Sequence, residues 1–223
     1  MNHHPDKILL EKYSAAELGG PLTSMISLHL EQCEECKVHY QQIFKSSANT
    51  LAEEKLSFDG LDLDLAFQKL TQKIHETNKT EFVSQTNDIK ITFNDKVFSL
   101  PNSLKFLNEQ VIPWKEFGKQ NAIAPVLSTK DGNFYLIYMG PGETVPTHSH
   151  THVEYSYVLS GEYHDGQSTY STGDFSINKT VHTPMATSDD GCLVLSWVEG
   201  RLNFFQGIFK PLNSILWWYL HRA

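Results

Sequence analysis

The sequence predicts a two-domain α+β chain, with a small all-α bundle over residues 1–80, a linker at 81–88 and an all-β barrel over 89–223. Three observations predict it. Apolar residues recur at intervals of three and four through the first part, then change to alternating and β-rich runs from Ile89 onward. Two unrelated sets of metal-type donors fall one in each part. The length of 223 residues suits two domains of roughly 100 residues each.

Four helical stretches are expected in the first part. Pro5-Asp6 opens the first, and Ile8, Leu9, Lys12 and Tyr13 fit a helical stripe. Gly19-Gly20-Pro21 ends it and opens a second, in which Leu22, Met25, Ile26 and His29 recur at three and four. A third begins near Cys33 and runs through Val38 and Ile43 to about Ser47. Leu63, Phe67, Leu70 and Ile74 mark a fourth, amphipathic one. The stretch from His75 to Asn87 is polar and without period, which places the linker there.

Strands follow, among them Phe134–Tyr138, Tyr155–Leu159 and Leu193–Trp197. Turn signals divide them at Asp131-Gly132, Gly140-Pro141-Gly142, Asp165-Gly166 and Asp190-Gly191. Many short strands at this spacing imply a sandwich or barrel. The apolar tail from Leu202 to Leu220 contains Asn203, Gln206, Lys210, Pro211, Asn213 and Ser214, too many polar groups for a spanning helix. A last strand followed by a short apolar helix is expected there, and no membrane association.

Net charge is −8, and residues 1–80 carry 8 lysines against 12 acidic residues. An acidic helical part argues against direct contact with nucleic-acid phosphates, which needs a basic surface. It permits docking onto a basic protein. Three cysteines, two of them as Cys33-x2-Cys36, make no disulfide framework. With no apolar signal segment after Met1, a reducing cytoplasm is expected, with thiolates free for metal.

In the first donor set, His29, Cys33 and Cys36 stand at i, i+4 and i+7, on one side of a helix or helix–turn junction. Zinc accepts two thiolates and an imidazole readily and prefers a closed tetrahedron. His3, His4 and His39 are the candidates for the fourth place. A buried cysteine pair or a redox dithiol are the competing readings of Cys33 and Cys36.

The second set reads Gly142-x5-His148-x-His150-x3-Glu154-x6-Gly161, with His182 downstream. Residues two apart on a strand share a face, so His148, His150 and Glu154 are expected on one face of one strand. A neighbouring strand must then bring His182 in. The first motif fits a cupin (double-stranded β-helix, jelly-roll barrel) in full, glycines included. A second half-motif opens at Gly173-Asp174 but lacks its usual turn. Three imidazoles and a carboxylate suit Zn, Fe, Mn, Ni or Cu. His152 and His164 are expected at the surface, and Cys192 as a buried small hydrophobe.

The run His29-Leu-Glu-Gln-Cys33-Glu-Glu-Cys36, after His3-His4 and a helix bearing Ile8-Leu9-Leu10 and Tyr13-Ser14-Ala15-Ala16, resembles the zinc-binding anti-sigma fold. Its joining to a cupin is similar to the ChrR group of anti-sigma factors, over nearly the whole chain. By spacing to Tyr13, the resemblance makes His4 the N-terminal ligand, with His29, Cys33 and Cys36. It also implies zinc in the cupin and a role there in sensing.

The resemblance further implies a cytoplasmic inhibitor that clamps an extracytoplasmic-function sigma factor with its helices, Leu63, Phe67, Leu70 and Ile74 among the contacts. The cupin would sense an oxidative or related stress and trigger release. Self-association of the free chain as a homo-oligomer is compatible with this. The alternative is a metal-dependent cupin enzyme, such as a small-molecule dioxygenase, with a helical accessory domain. The zinc-type pattern on the helices weighs against that alternative, since an enzyme needs no such appendage.

Overall fold

In the computed structural model, residues 1–53, 89–107, 112–200 and 202–204 are described. Three helices come first: α1 (Lys7–Ser14), α2 (Gly20–Gln32) and α3 (Glu34–Glu53). The expected fourth helix with Leu63, Phe67, Leu70 and Ile74, the linker at 81–88 and the tail beyond Phe204 lie outside the described residues. No described helix is long and apolar enough to cross a membrane.

Each helix start has a local cause. The Asp6 carboxylate accepts the Leu9 N–H at 2.8 Å, capping an orphan donor of α1. Pro21 occupies the first turn of α2, where its missing N–H costs nothing. Glu34 and Glu35 stand in the first turn of α3, where negative charge suits the helix dipole. Between α2 and α3 the chain is extended only at Cys33, with φ −104 and ψ 103. That single break turns the helix direction while keeping His29, Cys33 and Cys36 close.

The β region follows as β1 (Ile89–Phe93), β2 (Lys96–Leu100), a 3-10 helix (Asn102–Leu107), β3 (Lys115–Phe117), β4 (Asn121–Ser128) and β5 (Gly132–Met139). Then come β6 (His148–His150), β7 (Glu154–Ser160), β8 (Glu162–His164), β9 (Thr169–Ser171), β10 (Phe175–Asn178), β11 (Met185–Ala186), β12 (Cys192–Glu199) and β13 (Leu202–Phe204). The main sheet has the order β10-β7-β12-β5-β4-β3, with β11-β8-β9 and β13-β6 as smaller sheets and β1-β2 as a hairpin. All of these pairings are antiparallel. Among the described residues, three N-terminal helices are followed by this sheet-rich, cupin-like region.

Residues 1–43 and 88–223 form one compact unit, and residues 44–87 form another, of which α3 up to Glu53 is described. In the first unit a single apolar core runs through helices and strands. Leu9, Leu10, Met25, Ile26 and Leu28 belong to the same cluster as Tyr157, Phe175, Leu193 and Leu195. Helix α2 therefore buries Leu28 and Leu30 as well as the predicted stripe of Leu22, Met25, Ile26 and His29. A second, smaller cluster joins Met139, Val145, Val158, Tyr163, Ala186, Cys192 and Val194.

The motif glycines are positional. Gly142 and Gly161 have φ 67 and 83, in the left-handed region that glycine tolerates without strain. At Gly161 a Cβ would come within 2.2 Å of the Gly191 carbonyl oxygen. Gly161→Ala is therefore expected to lower stability by more than the about 1–3 kcal/mol that the backbone conformation alone costs, read as a lower unfolding midpoint than that of Gly166→Ala. Gly166 shares a positive φ but has open space around it, so the difference between the two isolates the steric clash.

Candidate metal centres

Four donor atoms meet where α2, α3 and the N-terminal segment converge. The Nδ1 atom of His4 lies 3.3 Å from His29 Nε2 and 3.4 Å from the sulfurs of both Cys33 and Cys36. All four donors lie within 4.8 Å of one another. His29, Cys33 and Cys36 are buried and His4 is half-buried. His29 Nδ1 stands 2.9 Å from the Gly173 carbonyl oxygen. A carbonyl can only accept, so the proton sits on Nδ1 and the Nε2 lone pair faces the other donors.

Of the three histidines that could supply the fourth place, His4 is the one brought in. His3 turns to the barrel, with Nε2 3.1 Å from the Thr169 carbonyl oxygen and its ring 4.4 Å from that of Tyr170. His39 is exposed on α3. Burial lowers the His29 pKa and keeps the ring neutral. Burial, reinforced by the neighbouring Cys33, pushes the Cys36 thiol up to about 12. Two thiols and two imidazoles aimed at a common point fit a soft or borderline cation in a closed tetrahedral set.

The second cluster holds His148, His150, Glu154 and His182, all buried, with donors again within 4.8 Å of one another. His148 Nε2 lies 2.9 Å from His182 Nε2. Glu154 Oε2 is 3.1 Å from His150 Nε2 and 3.3 Å from His182 Nε2. His148 Nδ1–H donates to the Pro146 carbonyl at 2.7 Å, which again turns an Nε2 lone pair inward. The remaining nitrogens of His150 and His182, Nδ1 in each, are buried without a hydrogen-bond partner among the described residues. A shared proton could serve one pair of these donors at a time, whereas a cation serves all four together. The donor set therefore fits a divalent transition metal.

The electrostatics agree with ligand duty. Burial holds His148 down to about 4 and so keeps it neutral. Burial alone would raise the Glu154 pKa, but His150 and His182 beside it hold it well below the ordinary carboxylate range. The Ser196 hydroxyl donates to Glu154 Oε1 at 2.5 Å and leaves Oε2 facing the imidazoles.

The route by which Glu154 arrives differs from the period-two expectation. β6 ends at His150, and Glu154 opens β7 in a different sheet. Residues 151–153 turn the chain, so the carboxylate returns from the wall of the main sheet. His182 comes from an isolated antiparallel bridge with His148, their N–H and C=O groups exchanging bonds at 3.1 and 3.2 Å, and no full strand carries it. His152 is exposed, whereas His164 is half-buried, its Nδ1 accepting the Gly166 N–H at 2.9 Å. Cys192 is fully buried, and burial raises its thiol pKa.

Sequence reasoning missed Ser196 and the carbonyl of Gly173. A signal for Ser196 existed: it is the one hydroxyl inside the apolar run Leu193–Val198. Ser196→Ala is expected to weaken metal binding at the barrel cluster by about tenfold, measured by chelator competition on the full chain. At the helical cluster the Cys36 proton is on at neutral pH and must leave when metal enters. Binding there is expected to release protons and to weaken as pH falls, read by titrating metal into lightly buffered protein.

Residues 103–199 match the ChrR cupin-like domain family. The chain is 21% identical over 207 residues to the anti-sigma-E factor ChrR of Cereibacter sphaeroides, covering 92% of each sequence. It also superposes on a chain of the crystal structure of Rhodobacter sphaeroides SigE in complex with the anti-sigma ChrR, with a TM-score of 0.64 and 19% identity. That match covers 88% of this chain and 98% of the other. The chain is thus similar to ChrR over nearly its whole length, with residues 103–199 matching the ChrR cupin-like domain.

Proposed function

We propose that the chain is a cytoplasmic anti-sigma factor that sequesters an extracytoplasmic-function sigma factor through its N-terminal helices. The observation that carries this reading is the likeness to ChrR across 92% of both sequences, together with two separate four-donor clusters. A zinc ion held by His4, His29, Cys33 and Cys36 would fix α2 and α3 relative to the N-terminal segment. Structural zinc of this type contributes directly to folding. The contact with the sigma factor would use exposed apolar side chains of the helices, such as Ile8 on α1 and Val38 on α3. The stripe Leu63, Phe67, Leu70 and Ile74 would extend it.

The domain reading that goes with this is a helical inhibitory part over 1–80, a linker at 81–88 and a cupin sensor over 89–223. The cupin ligands His148, His150, Glu154 and His182 would hold zinc or another transition metal. An oxidative or related stress would alter that site and shift the equilibrium toward free sigma factor. A regulator needs a ligand set that responds to its surroundings, not turnover, so the enzyme reading takes second place.

The test is co-purification from the source cells with metal analysis of the complex. Wild type is expected to carry a stoichiometric sigma factor. Cys33→Ala/Cys36→Ala should lose the partner together with one metal, while His148→Ala/His150→Ala should keep the partner and lose the other metal. Recovery of iron or manganese in the barrel with no sigma factor would overturn the reading in favour of an enzyme.

A further inference from the structure

Barrel residues bond both the N-terminal segment and the His29 ring beside the N-terminal cluster. Asp174, 1% exposed, lies between the N-terminal segment and the barrel. Its Oδ1 accepts the N–H groups of Asn2 and His3 at 2.7 and 3.2 Å. Its Oδ2 accepts the Ser171 N–H at 2.9 Å. The following residue, Phe175, donates its own N–H to the His3 carbonyl at 3.1 Å. The preceding residue, Gly173, receives His29 Nδ1–H at 2.9 Å.

Three successive barrel residues thereby fix both imidazole donors. His4 follows directly on the backbone that Asp174 and Phe175 hold, and the His29 ring is oriented by the Gly173 carbonyl. The helices supply the donor atoms, and the barrel sets where two of the four point. Gly173 has φ 91, and a Cβ there would come within 2.6 Å of the Met1 side chain. The positive φ, rather than the contact with the flexible Met1 side chain, is what calls for glycine at this turn beside the N-terminal segment.

We propose that Gly173, Asp174 and Phe175 form the outer shell of the N-terminal metal site, so that the barrel sets the affinity for a metal that only N-terminal residues ligate. Groups that orient metal ligands commonly change affinity by about 10–100-fold when removed. A carboxylate accepting main-chain N–H groups makes bonds roughly twice as strong as neutral ones. Burial alone would raise the Asp174 pKa, but the N–H groups of Ser171, Asn2 and His3 hold it below its ordinary value, which keeps the charge in place. Asp174 is a positioning residue, since it acts on the metal through the backbone before His4.

The inference rests on His4, His29, Cys33 and Cys36 being ligands, and the experiment separates the two. Full-length protein is loaded with cobalt(II), whose thiolate charge-transfer absorption reports the N-terminal site alone because the barrel cluster contains no cysteine. Release to a chelator is compared for wild type, Asp174→Ala and Asp174→Asn. The band is expected to decay about tenfold faster in Asp174→Ala and to a lesser degree in Asp174→Asn, with cobalt in the barrel retained by all three. The His29 Nδ1–H resonance should also exchange with solvent faster in Asp174→Ala. Unchanged release in Asp174→Ala would overturn the proposal, and so would equal loss from both sites, which marks general unfolding. A wild-type protein without the band would refute the ligand reading itself, and the inference with it.

Discussion

Lone pairs buried face to face cost free energy unless a positive charge lies among them, and both halves of this chain are arranged around that constraint. In each cluster one histidine gives its outward proton to a main-chain carbonyl, Gly173 for His29 and Pro146 for His148. That hydrogen bond decides the tautomer, and the tautomer turns the other nitrogen inward. Neighbouring elements then have to bring three more donors to the same point. The break at Cys33 between α2 and α3, the turn at 151–153 and the bridge at His182 are the local means of doing so.

The strand that joins these arrangements is β10. It begins beside the N-terminal segment, where Phe175 bonds His3. It ends at Asn178, the register partner of Glu154 on β7. From Phe175 to Asn178 the strand rises about 10 Å over three steps of ~3.3 Å, so one short, hydrogen-bonded element has a ligand environment at either end. Phe175 belongs to the apolar core shared by α2, β7 and β12, and Ile177 packs against it, which makes the strand a stiff connection rather than a tether.

Much of this was legible in the sequence, and the reasons differ by element. His29, Cys33 and Cys36 are legible because a spacing of i, i+4 and i+7 keeps them close across a helix end and the short break at Cys33, without long-range information. The choice of His4 over His3 came from resemblance, because two adjacent histidines face opposite ways and only the barrel edge decides which one turns in. Glu154 was legible as a donor but not in its path: the period-two argument assumed an unbroken strand, and Thr151-His152-Val153 bend the chain instead. The orienting groups at Gly173 and Pro146 are main-chain carbonyls, which no side-chain pattern announces. The extent of α3 also exceeded the expected stop near Ser47, since nothing between Ser46 and Glu53 breaks a helix.

The bonds from Asn2 and His3 to Asp174 span 172 and 171 residues of sequence. On the ribosome, at ~5–20 residues per second, that separation is a delay of roughly 10–35 s between the emergence of one end of the contact and the other. For that interval the first helices are synthesised before Asp174 and β10 exist to receive the N-terminal segment. The N-terminal segment therefore begins its life in the cell free of the barrel, and acquires its final setting only as the last third of the chain is made.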